Sequence, residues 1–161
     1  MNDKITHNQL VKIAGRWLRN TIGCAVVLEE FNALIMSCET PDAIGWHGHR
    51  CILVECKTSR QDFFADLKKP ARRPGTPYAL GSFRFYLTPP DLIKESEIPE
   101  GWGLYEVHGQ RVRHAGGVSF TNATAPPFQS DKNSEVGLLV SSLRRLKFNT
   151  AVYIREIKEG E

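Results

Sequence analysis

The stretch that most constrains the fold is Cys51–Lys57, CILVECK. It is short, apolar and β-branched, so it reads as a buried strand. Side chains alternate along a strand, which puts Cys51, Leu53, Glu55 and Lys57 on one face and Ile52, Val54 and Cys56 on the other. A carboxylate and an ammonium therefore leave the end of a buried strand on the same side, about 7 Å apart by strand rise. Burying them is costly unless they pair, bind a metal or bind a substrate.

Just upstream, Pro41-Asp42 opens a second expected strand, Asp42–Trp46, and His47-Gly48-His49 makes a tight connection between the two. Such a hairpin returns Asp42 to the side of Glu55, with Lys57 one step on. Two carboxylates and a lysine on a sheet rim can hold a hard cation such as Mg²⁺ together with a phosphate oxygen. The bland alternative is a structural Glu55–Lys57 ion pair, with Asp42 merely starting a turn.

Pro41-Asp42 followed by Glu55-x-Lys57, with a hairpin between them and a helix after, resembles the PD-(D/E)XK nuclease superfamily. The run from Cys56 to Phe63, then Ala65–Pro70, is similar to a subgroup of small bacterial and phage members. In that subgroup an aromatic strand and a Pro-Gly-Trp-Gly-Leu-like segment follow. Here these are Phe83–Leu87 and Pro99–Leu104, with Glu100 inserted.

The resemblance implies one α/β domain over residues 1–161, a central mixed sheet flanked by helices, restriction-endonuclease-like. It implies metal-dependent hydrolysis of DNA phosphodiesters, in repair, recombination or phage DNA processing. Asp42, Glu55 and the Cys56 carbonyl would hold Mg²⁺, with Mn²⁺ as a substitute. Lys57 would orient or deprotonate the attacking water. Many relatives also carry an acidic residue on the first helix; here none is present, and Gln9 is the nearest substitute. A catalytically weak nucleic-acid-binding module of the same fold is the alternative. DNA is the expected partner, with a second copy or a repair or replication protein as further candidates.

Charge is informative only through its placement. The net charge is +3, mildly basic and compatible with nucleic acid. Lys57, Arg60, Lys68, Lys69, Arg72 and Arg73 crowd one window. Ser59, Arg60 and Gln61, on the first turn of the expected helix, and Lys68, Lys69, Arg72 and Arg73 beyond it are the candidate nucleic-acid contacts. Ser59 with Asp62 is also a helix cap, which alone would explain the serine. Glu39 reads equally as an outer ligand of metal or water and as a solvated loop carboxylate.

The remaining chain supplies a frame. Thr6–Asn20 reads as a helix, with Thr6 and Gln9 as a capping box and Gly23 as the stop. Cys24–Glu29 is a first strand, and Phe31–Cys38 is ambiguous. Ser59 starts the next helix, whose apolar side is Phe63, Phe64 and Leu67. Residues 71–81 form a basic loop. Ser82–Leu87 is a strand. Asp91–Glu97 is a short helical turn. Gly101–Val107 pairs with Arg111–His114 in a hairpin. Ser134–Lys147 is a helix with an apolar stripe of Val136, Leu139, Val140, Leu143 and Leu146. Thr150–Ile157 adds an edge strand.

Cysteines at 24, 38, 51 and 56 form no CxxC pair, so no structural zinc site is expected. His47 and His49 read first as exposed turn residues, with a transition-metal role as the lesser alternative. No segment reaches the roughly 20 apolar residues that span a bilayer, and the N-terminus has no signal-peptide pattern. A cytoplasmic protein is the expectation.

Overall fold

Apolar side chains on both faces of the central strands call for two layers of cover, and the chain provides them. The computed structural model describes residues 4–33, 39–73, 75–145 and 152–154. Its elements are α1 (His7–Trp17), β1 (Val26–Glu29), β2 (Ala43–His47), β3 (Arg50–Cys56), α2 (Arg60–Leu67), β4 (Phe83–Thr88), β5 (Gly103–His108), β6 (Arg111–Gly117), α3 (Lys132–Arg144) and β7 (Val152–Ile154). The strands form one mixed sheet in the order β6-β5-β4-β3-β2-β1-β7. β3, β4 and β5 are parallel, and the other pairings are antiparallel. The parallel strands end on one sheet edge, where open α/β sheets usually carry their ligands.

α1 starts as its sequence dictates. The Gln9 N–H donates to Thr6 Oγ1, and the Thr6 N–H donates back to Gln9 Oε1. The helix runs on through a π-helical turn, Leu18–Ile22, and stops at Gly23, whose φ of 80° suits glycine. Leu10, Ile13, Ala14, Trp17 and Leu18 are buried against Ile52, Val54, Cys56, Phe83, Phe85 and Leu87. On the other face, Phe63 of α2 and Leu138 of α3 join Leu53, Tyr86, Trp102 and Leu104. The alternation read from CILVECK thus assigns both cores. Gly103 is needed for close approach: a Cβ there would stand 2.0 Å from the Val118 carbonyl.

α3 departs from the expected phase. Val136, Val140 and Leu143 are 56%, 49% and 56% exposed, while Ser134, Glu135, Leu138 and Ser142 are buried. Asp131 caps the helix through the Ser134 N–H, and Glu135 turns inward beside Cys51. At the other end, Arg145 donates to the Asn32 carbonyl and lies over the Phe31 ring. These anchors favour a rotation in which Leu139 of the expected stripe still packs against the core while Val136, Val140 and Leu143 face outward. Leu146 lies outside the described residues. So do 34–38 of the ambiguous 31–38 stretch, and 31–33 form no strand. Phe64, expected inward, is 40% exposed. Of the expected final strand, Val152–Ile154 pairs with β1. Among the described residues no helix is long and apolar enough to cross a membrane.

Candidate active site

Hairpin register builds the site. Ala43 pairs with Val54, so Asp42 lies at the step beside Glu55, at the outgoing end of β3. The Cys56 N–H donates to Asp42 Oδ2 at 2.7 Å, so Cys56 meets Asp42 through its own amide. Burial raises the Asp42 pKa, against the Cys56 amide, Lys57 and His7.

Glu55 and Lys57 lie on the α2 side of the sheet, both buried. Lys57 Nζ donates to Glu55 Oε2 at 3.0 Å and stands 3.3 Å from Asp66 Oδ1. Burial pushes the Glu55 carboxyl up to about 7, with Arg72 and Lys57 pulling it down and Asp42 adding to the rise. Burial pulls Lys57 down, but Glu55 and Asp66 outweigh it, and its pKa is raised. These two carboxylates hold Lys57 as an ammonium in this arrangement.

Asp66 and Arg72 complete the network. Arg72 donates through Nε to Asp66 Oδ2 at 2.7 Å and through Nη2 to Asp66 Oδ1 at 3.1 Å. Arg72 Nη2 is also 3.1 Å from Glu55 Oε1, and Nη1 pairs with Glu39. Its guanidinium lies 5.1 Å from the Trp102 ring, which stacks on Tyr86. Tyr86, opposite Glu55 in the β3–β4 register, donates its hydroxyl to Asp66. Burial opposes ionisation of Asp66, but Arg72, Lys69 and Lys57 hold its pKa below the ordinary carboxylate range.

Two expectations change here. Arg72, expected among the nucleic-acid contacts on a solvated loop, has a side chain 3% exposed. Three carboxylates draw it inward, so it belongs to the interior and not to the basic rim. Glu39 is likewise no solvated carboxylate, because its charge is paired with Arg72 in the interior. Gln9, the substitute for a first-helix acid, uses its side chain in the cap.

The remaining candidates surround this centre. Ser59 Oγ accepts the Asp62 N–H as the α2 cap. Arg60 grips Glu97 with both terminal nitrogens and donates to the Leu92 carbonyl, fastening the loop after β4 to α2. Lys69 pairs with Asp66 at 2.7 Å while remaining half exposed. Gln61, Lys68 and Arg73 are exposed, as are His47 and His49.

Two residues at the site were not singled out from sequence. Asp66 sits three residues after Phe63, on the helix face that meets the sheet, and that spacing was the available signal. His7, first residue of α1, puts Nε2 3.4 Å from Asp42 Oδ1 and 3.6 Å from Glu30 Oε1. Glu30 holds a left-handed φ of 46° while its N–H donates to the Asp42 carbonyl. Nothing local in the sequence joins positions 7, 30 and 42.

Does this set fit a divalent cation? Among the described residues, no group of three or more His, Cys, Asp or Glu is arranged to hold a metal. The expected set needs only two side chains and a carbonyl. Glu55 Oε1 is buried and accepts no hydrogen bond, its nearest cation being Arg72 Nη2 at 3.1 Å, and the neighbouring Asp42 charge adds to the rise that burial gives the Glu55 pKa, so the two carboxylates repel across one space. On that ground the carboxylates fit a hard cation.

No protein-family model matches the chain, and no curated protein matches it. Among solved structures it is similar to SPO1766 of Silicibacter pomeroyi, a protein of unknown function. The two share 20% identity over 90% of this chain and 91% of that one, with a TM-score of 0.58. The likeness is one of fold: a single α/β domain with a mixed sheet between helices.

Proposed function

We propose that the protein is a Mg²⁺-dependent nuclease that hydrolyses DNA phosphodiester bonds. The observation that carries this reading is the strand end that gathers the buried Glu55 carboxylate, its Lys57 partner and the Asp42 carboxylate in one place. Mg²⁺, when bound, supplies Lewis-acid stabilisation of the phosphate and a more acidic water. Asp42 and Glu55 would hold it. Lys57, kept cationic by Glu55 and Asp66, stabilises negative charge that grows on the phosphate. Asp66 and Arg72 fix the positions of Lys57 and Glu55.

The test is divalent-dependent cleavage of single-stranded, duplex and branched DNA, beside calorimetric metal titration. Glu55→Gln should lower metal affinity and cleavage together. Lys57→Ala should keep metal binding and lose on the order of 10²–10³ in rate. Lys57→Arg should not rescue fully, because the guanidinium is planar and differently shaped. Loss of metal binding in Lys57→Ala would refute this division of roles.

One observation favours the second reading, a nucleic-acid-binding module without catalysis. Glu55 already has two cations, Lys57 and Arg72, within 3.1 Å. Wild-type protein that binds DNA but neither metal nor cleavage substrate would establish that reading in place of the first.

A further inference from the structure

A groove of about 1190 Å³ opens at the edge where β3, β4 and β5 end, between α1, the start of α2 and the β5–β6 turn. Three features of it belong together. Its floor is apolar, with Ile5, Ile13, Pro89, Pro90, Leu92 and Val107. Its cations are Lys4, Lys12 and Arg60, and no acidic residue lines it among the described residues. Its ends adjoin the candidate site: Thr58 and Asn8 line it, Thr58 follows Lys57, and Asn8 follows His7, which touches Asp42.

We propose that this groove takes the unpaired end of a DNA strand and leads it to Asp42, Glu55 and Lys57. The identity of the strand's destination rests on the nuclease reading above; the binding does not. The volume exceeds the roughly 300–1,000 Å³ of a small-molecule pocket, and the groove is open to solvent rather than enclosed. A duplex turns its bases inward and offers only phosphates and groove edges to such a surface. An unpaired strand offers both halves of what the groove complements: phosphates for the cationic rim and exposed base faces for the apolar floor. Lys12 and Arg60 are partly neutralised by Glu29 and Glu97, whose carboxylates lie outside the lining. Lys4 adds a third cation to the lining, with no ion pair among the described residues. The floor has prolines and aliphatics in place of aromatic rings, so contact with the bases is sequence-tolerant.

Binding is measured by fluorescence anisotropy in EDTA, which removes cleavage from the readout. The probes are a short labelled oligothymidylate, a blunt duplex of the same length and a poly-glutamate peptide. The oligothymidylate should bind about tenfold or more tightly than the duplex, with a salt slope of about −0.7 per phosphate engaged. Asn8→Glu places a carboxylate inside the groove. It lies in the first turn of α1, where a negative charge favours the helix, so the fold should survive. This variant should bind roughly tenfold more weakly with a shallower slope. Arg144→Glu, on α3 across the sheet, should bind as wild type does, and melting curves confirm folding of both variants. Duplex binding as tight as oligothymidylate, preference for poly-glutamate, or an Asn8→Glu variant that binds normally overturns the proposal. If the binding results hold but no DNA is cleaved with any divalent ion, the groove stands and the nuclease reading falls. If DNA is cleaved while Asn8→Glu binds normally, the nuclease reading stands and the groove falls.

Discussion

Replacing Arg72 with methionine separates a buried structural cation from a DNA-binding loop residue. Methionine keeps much of the length and fills apolar space, so the lost charge is the main change. Three carboxylates lose a partner. Asp66 keeps Lys57, Lys69 and the Tyr86 hydroxyl, and Glu55 keeps Lys57. Glu39, whose side chain is 6% exposed, keeps no other ion pair among the described residues. Stranding a buried charge in this way costs about 3–5 kcal/mol. For a chain of this size that lowers Tm by roughly 10 °C.

The loss should also depend on pH, and its sign follows from Glu55. The folded pKa is about 7 against an ordinary 4.5, so the native state binds more protons across that window. Stability contributed by this group therefore falls as pH rises from 4.5 through about 7. Without Arg72 the folded pKa rises further and the window extends upward. The Arg72→Met penalty should be larger at about pH 8 than at about pH 5. Equilibrium urea unfolding at both values measures it. A loss under about 0.5 kcal/mol, the range of ordinary surface substitutions, would refute the buried network.

Other expectations follow from single contacts. Arg73→Ser should weaken DNA binding and flatten its salt slope by about one phosphate, while Arg73 contributes nothing measurable to urea stability. Leu138→Ala should cost about 2–5 kcal/mol and Val140→Ala only a few tenths, which checks the rotation of α3 by thermal unfolding. Thr6→Ala should cost about 1 kcal/mol through loss of the α1 cap, read by urea titration. Mg²⁺ binding near neutral pH should release protons from Glu55; calorimetry in buffers of different ionisation heat detects this, and no buffer dependence would refute the raised Glu55 pKa.

Patterns of local period were sufficient for most of the frame. CILVECK alternates, so it declares two cores and places Glu55 and Lys57 on one face before any partner is known. Thr6 with Gln9, and Ser59 before Asp62, mark helix starts through hydrogen bonds within one turn. The Pro41-Asp42 hairpin follows from a short Gly-containing connection, and its register needs no distant information.

What local pattern could not decide was which charges would be buried and which way an ambiguous helix would turn. Arg72 reads as a loop cation because its sequence neighbours are Arg73, Pro and Gly; it becomes an interior residue only when Glu39, Glu55 and Asp66 arrive from three other segments. His7 meets Asp42 only because α1 packs across the sheet. α3 has aliphatics enough for two phases, and its end anchors at Asp131 and Arg145 select the one with Leu138 inward. In each case the deciding energy is electrostatic or steric and acts between residues far apart in sequence. Tertiary structure alone can bring those groups within reach, so sequence determined the strand, the hairpin and the caps, and packing determined the ion network.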